Sequence, residues 1–152
     1  DNEAGRYGGG GLYASAGLLR VQLSRFVGNR GNQGGAVLLD QAMKAEFSHC
    51  LFEGNRGGQG GALRAKEGVI AALSHCTFRG NAAEGPGSII SLAGSSSRAP
   101  EVRLVEASIE DGDFFNGATH PGRLIVESSR LPAQLEGTEG WTDGGGNRTA
   151  KE

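Results

Sequence analysis

Asp111 and Asp113 stand one residue apart beside Glu110, with His120 and Arg123 a short way downstream. Carboxylates so placed are the groups that protonate a glycosidic oxygen or take a proton from a sugar, and a nearby cation holds an acidic substrate. Asp111, Asp113, His120 and Arg123 therefore make a candidate loop site for polysaccharide cleavage or carbohydrate binding. No Lys lies beside the pair and no second acidic pair stands at ladder positions. The plainer expectation is a solvated acidic turn. Oxygen ligands at alternate positions would also suit a weak Ca²⁺ site.

His49 and His75 are separated by 26 residues, as are Cys50 and Cys76. Two imidazoles stacked one strand spacing apart, roughly 4.8 Å, can ligate a metal. The equivalent position one interval earlier is Leu23, and no carboxylate shares the 26-residue register. The histidines therefore read as surface residues inherited from a repeat. The cysteines would fall within disulfide range, but parallel Cβ vectors suit the required torsion poorly. Reduced, buried thiols acting as small apolar fillers are expected, with a disulfide as the alternative. Two Cys cannot form the framework of a small secreted scaffold. No catalytic residue, no cofactor and no metal ligand is assigned. The sequence lacks GxSxG, a P-loop and a strand-to-helix GxGxxG, and "GNRGNQGG" lacks the Lys-Ser/Thr of a phosphate loop.

The shared interval belongs to the elements that carry these residues. "FVGNRGNQGGAV" at residues 26–37 returns as "FEGNRGGQGGAL" at 52–63, with a thinner "FRGNAAEGPGSI" at 78–89. Val21, Phe47 and Leu73 share one position, and Ser24, Cys50 and Cys76 another. Phe26, Phe52 and Phe78 form a third column, and Asn29, Asn55 and Asn81 a fourth. Short apolar runs bounded by turn residues are strands, and glycine recurs too often for helices. A unit of this size cannot bury its own apolar face, whereas a stack of copies can. The expected fold is all-β: a short right-handed parallel β-helix of about five coils. The Phe column would stack inside and the Asn column would occupy a corner, tolerating left-handed backbone and bonding the next coil. Gly34-Gly35 and Gly60-Gly61 would permit a bend with positive φ.

After residue 92 the period slips. "AGSSSRAP" reads as an inserted loop, after which Ile109 takes the place of Phe, and Leu124, Val126 and Leu131 suggest another coil. Residues 1–135 are expected to form the solenoid, regular over 8–92 and irregular over 93–135. Residues 136–152 read as an aperiodic Gly-rich tail, a mobile segment or docking strap in which Trp141 is a packing anchor. "NRT" at Asn147 is a glycosylation sequon, of consequence only on a secretory route.

The 152 residues suit one domain, and 28 Gly without a Gly-X-Y period indicate a fold of many turns. A net charge of −2 offers no basic stripe for nucleic acid. No apolar run reaches the ~20 residues of a membrane span. The opening "DNEAGRYGGG" has no initiator Met or signal-like segment, as expected of a processed chain or fragment.

Phe-x-x-Asn followed by Gly-Gly-Ala-(Ile/Leu/Val) resembles the repeat of chlamydial polymorphic outer membrane proteins and related right-handed β-helices of the pectin-lyase-like superfamily. Phe26/Asn29 with Gly34-Gly35-Ala36-Val37 and Phe52/Asn55 with Gly60-Gly61-Ala62-Leu63 carry the motif in full. The third copy has Pro86-Gly87-Ser88-Ile89 instead. The resemblance implies an adhesin-like or other surface or secreted β-helix. The expected function is a non-enzymatic structural or protein-interaction module, binding other chains at its ends or through its C-terminal loops. The rivals are a carbohydrate-binding or polysaccharide-active β-helix, and an accessory scaffold subunit of a multi-chain membrane complex. The expected location is the cell surface, the exterior or an organelle lumen.

Overall fold

In a computed structural model, residues 2–5, 8–85, 87–94, 98–116, 122–132 and 141–149 are described. They form a parallel β-solenoid with four sheets running along its axis. Sheet A stacks Glu3–Ala4, Arg30–Gly31, Arg56–Gly57 and Ala82–Ala83. Sheet B stacks Leu12–Ser15, Val37–Asp40, Leu63–Lys66, Ile90–Ala93 and Phe114–Asn116. Sheet C stacks Leu18–Gln22, Lys44–Ser48, Ile70–Ser74, Glu101–Val105, Arg123–Glu127 and Thr142–Gly145. Sheet D stacks Arg25–Val27, Leu51–Glu53, Thr77–Arg79, Ser108–Ile109, Arg130–Leu131 and Arg148–Thr149. Four ranks thus have a strand in every sheet, a fifth has three strands and a sixth has two. Residues 141–149 of the expected tail are paired strands: Thr142 lies in register with Ile125, and Arg148 with Arg130.

The repeat sets the register. Phe26, Phe52 and Phe78 are paired in succession, as are Val21, Phe47 and Leu73. Ile109 follows Phe78 in register, so the chain re-enters the column after its insertion. The three rings stack at 5.0 and 4.9 Å with interplanar angles of 6° and 5°. Phe47 meets Phe52 edge-on at 5.9 Å. Aliphatic columns fill the remaining interior, including Val37–Leu63–Ile90 and Leu39–Ala65–Leu92, all fully buried. Trp141 packs against this core, edge-on to Phe114 at 6.4 Å.

The Asn column is a continuous amide ladder. Asn29 N–H and Nδ2 both donate to Asn55 Oδ1, each at 3.0 Å. Asn55 repeats this on Asn81 Oδ1, at 3.1 and 2.9 Å. Asn55 Nδ2 also donates to Phe26 O at 2.8 Å, and Asn81 Nδ2 to Phe52 O at 2.9 Å. Backbone groups that the corner leaves without a strand partner are thereby satisfied inside the stack. None of the three asparagines takes the left-handed backbone expected of it. That conformation falls on the preceding glycines, Gly28, Gly54 and Gly80, at φ of 60 to 64°.

The glycine pairs also differ from expectation. Of the four, Gly60 alone has positive φ, at 72°. At Gly35 the need is room: a Cβ there would lie 2.0 Å from Gly61 O. The corners of successive ranks meet backbone on backbone, and any side chain would force them apart.

Asn55 is fully buried and serves both neighbouring ranks. Asn55→Ala should leave Asn29 N–H and Asn29 Nδ2 without their shared acceptor and cost about 2 kcal/mol or more. Urea unfolding of the variant and the parent chain measures this. A loss below about 1 kcal/mol would mean that water replaces the ladder.

Candidate functional site

The turn joining sheet C to sheet D repeats through all six ranks, and its side chains form two columns. The first contains Leu23, His49, His75, Glu106, Ser128 and Gly146, all with positive φ, the five non-glycines at 48 to 54°. L-residues pay roughly 1–2 kcal/mol for this conformation. The next residue along supplies a compensating bond. Ser24 Oγ, Cys50 Sγ, Cys76 Sγ and Ser129 Oγ each donate to the carbonyl two residues back, at 2.8, 3.4, 3.4 and 2.7 Å. Each closes the turn across the left-handed residue, so the cysteines are donors of the same kind as the serines.

Cys50 and Cys76 are both free and buried. Burial is the chief cause that pushes the Cys76 thiol up to about 12. It is therefore a protonated, unreactive group at neutral pH, not a nucleophile.

His49 and His75 stack outward with ring centroids 4.7 Å apart. Contrary to the sequence reading, a carboxylate does share this column: Glu106 Oε2 lies 2.9 Å from His75 Nδ1. The insertion before Pro100 lengthens this rank, so a search at a constant interval passes Glu106 by. Its signature survives in the spacing to the aromatic column. Glu106 precedes Ile109 by three residues, as His75 precedes Phe78. Among the described residues, no group of three or more His, Cys, Asp or Glu is placed to hold a metal.

The aspartates of the loop site are held by backbone. Gly80 N–H donates to Asp111 Oδ1 and Oδ2 at 2.8 and 3.0 Å. Ser88 N–H donates to Asp113 Oδ1 at 2.7 Å, and the Ser88 hydroxyl also bonds Asp113. Asp113 N–H returns a bond to Ser88 Oγ at 2.8 Å. These carboxylates stitch the fifth rank to the fourth where the ladder has lost its asparagine. Arg123 faces Glu101 in the neighbouring rank, its NH1 3.8 Å from Glu101 Oε2. The structure thus gives Asp111, Asp113 and Arg123 three different partners, and His120 lies outside the described residues. Asn147, the sequon asparagine, is likewise built in: Ser129 N–H donates to its Oδ1 at 2.9 Å, and its Nδ2 donates to Val126 O at 2.8 Å.

A different surface stands out at the N-terminal end. Leu12–Ser15, Leu18–Gln22 and Arg25–Val27 are the outermost strands of sheets B, C and D. Their inward side chains Leu12, Ala14, Leu19, Val21 and Phe26 pack against the core but are only partly buried. One rank deeper, Val37, Leu39, Ala45, Phe47 and Phe52 are at most 1% exposed. Outward positions change character at the same boundary. Tyr13, Leu18, Leu23 and Val27 are 51, 57, 82 and 36% exposed, four of the five large apolar residues so placed among those described. In the next rank Lys44 follows Leu18, Glu53 follows Val27, and His49 takes the turn position of Leu23.

Comparison with protein-family models, curated proteins and solved structures finds no match for this chain. Among the described residues no helix is long and apolar enough to cross a membrane.

The Cys76 shift has a measurable consequence. Above pH 9 an unfolded thiol ionises while the folded one keeps its proton until about pH 12. In that window this group favours unfolding by about 1.4 kcal/mol per pH unit, so stability falls as pH rises. Urea unfolding at pH 8 and pH 10 should show a smaller loss for Cys76→Ser than for the parent chain. Equal losses would refute the assignment.

Proposed function

We propose that this chain is a non-enzymatic structural and protein-interaction module, a right-handed parallel β-helix whose N-terminal end receives further β-structure. The observation that carries this reading is the boundary at the first rank. Strand edges without a neighbour among the described residues, partly exposed core columns and an apolar rim occur together there. Unpaired edges and apolar ends are what solenoids must cap. Another coil would satisfy all three at once, extending the sheets in parallel and closing the core. The occupant proposed is such a coil, from the same polypeptide or another chain.

The resemblance to pectin-lyase-like and polymorphic outer membrane protein repeats accords with a surface, secreted or lumenal assembly. The polysaccharide-active reading draws less support, because Asp111 and Asp113 spend their carboxylates on the backbone of the preceding rank.

A photoreactive residue at Leu19 or Val21 tests the proposal in the native assembly. Cross-links from these inward positions to β-strand residues of another coil are expected. Cross-links only from a lateral site such as Ile70, 53% exposed, would place the contact on the side of the solenoid instead.

A further inference from the structure

Many outward charges of the solenoid are neutralised across ranks. Arg20 meets Glu46 at 2.8 Å, Lys66 meets Asp40 at 3.0 Å, Arg79 meets Glu53 at 2.9 Å and Arg103 meets Glu127 at 2.6 Å. Like charges directly in register repel, and the described register contains two such pairs: Arg30 with Arg56, and Arg130 with Arg148. All four side chains are exposed, and none forms an ion pair among the described residues.

The two pairs differ in their surroundings. Glu3 stands in register beside Arg30, and Glu3 and Glu84 line the same groove, so the protein supplies its own counter-charge there. Arg130 and Arg148 line a groove of about 530 Å³ whose carboxylate, Glu106, lies 2.9 Å from His75 Nδ1. The other polar side chains in that groove include Ser128 and Thr149. Gly146 stands beside Ser128, and a Cβ on it would lie 3.1 Å from Ser128 Oγ. The absent side chain leaves that hydroxyl uncovered. Ser129, by contrast, is spent on Glu127 O and Ala107 N–H.

We propose that Arg130 and Arg148, with Ser128, form a binding site for a tetrahedral oxyanion of the phosphate or sulfate class. Arg130 and Arg148 are in register on adjacent strands, and each guanidinium presents paired N–H groups. A tetrahedral dianion offers oxygens to both forks and to a hydroxyl, whereas one planar carboxylate satisfies one fork. Its charge also removes the repulsion that the register imposes on the two arginines.

Calorimetric titrations of the whole chain with phosphate, sulfate and acetate at constant ionic strength test the site. Phosphate and sulfate should bind saturably, and acetate at least ~10-fold more weakly. Arg130→Gln and Arg148→Gln should each weaken phosphate binding ~10-fold or more, and Arg130→Lys should also weaken it by removing the fork while keeping the charge. Ser128→Ala should have a smaller effect, and Arg30→Gln and Arg20→Gln none. Phenyl phosphate, run beside the inorganic ion, separates a pendant phosphate from a free one, and its binding should be lost in the same variants. Circular dichroism establishes that each variant is folded. The proposal is overturned if the parent chain shows no saturable phosphate binding, if acetate binds as well as phosphate, or if folded Arg130→Gln/Arg148→Gln binds undiminished.

Discussion

Every residue in this solenoid must sit one strand spacing, roughly 4.8 Å, above the residue that holds its place in the previous rank. That constraint turns the choice of a side chain into the choice of a column. Phe suits such a column because flat rings can lie parallel at nearly the backbone spacing, as the 5.0 and 4.9 Å stacks show. Asn suits one because its amide carries both a donor and an acceptor, so each copy can answer the copy beside it. A charge gains a cross-rank ion pair where the next rank bears the opposite sign, as Arg20 does with Glu46. The 26-residue interval is the length of chain that returns each of these side chains to its own column.

The corners follow from the same constraint. Left-handed residues at every C–D turn would burden a single loop, yet the stack accepts five non-glycines there. The next residue's hydroxyl or thiol ties each turn to a carbonyl two residues back in four of the ranks. At Ala107 the side chain offers no such donor, and Ser129 Oγ reaches across to accept from Ala107 N–H. Strain and its compensation are thus distributed along a column, not confined to one site.

The regular columns were legible in the sequence because periodicity alone defines them: Phe26–Phe52–Phe78, Asn29–Asn55–Asn81 and the return at Ile109. What escaped depends on relations that periodicity does not encode. Gly35 looked like a residue of unusual φ, but its role is the close approach of Gly61 O, which a single chain segment cannot reveal. Glu106 escaped because the lengthened fourth rank moves it out of the constant interval. Asp111 and Asp113 read as a solvated acidic turn, with carbohydrate chemistry as the rival, and only three dimensions show the backbone N–H groups that face them. Thr142–Thr149 carry so few apolar side chains that no pattern marks them as strands. Their pairing is backbone bonding to a template already formed by rank five.

A template with two ends treats them differently. At the C-terminal side the described strands fall from four per rank to three and then two, and polar residues such as Asn147 and Ser129 bond the turns there. The column logic therefore fades gradually, leaving a groove whose arginines, Arg130 and Arg148, have no ion-pair partner among the described residues. At the N-terminal side it stops abruptly, with Val21 and Phe26 half-buried above fully buried mates. An abrupt edge with apolar columns in section suits addition of another coil, since only a coil supplies strands and core side chains at matching spacing. The asymmetry separates the two proposals: the added coil is placed at the end that begins with Glu3–Ala4 and Leu12–Ser15, and the oxyanion site toward the other.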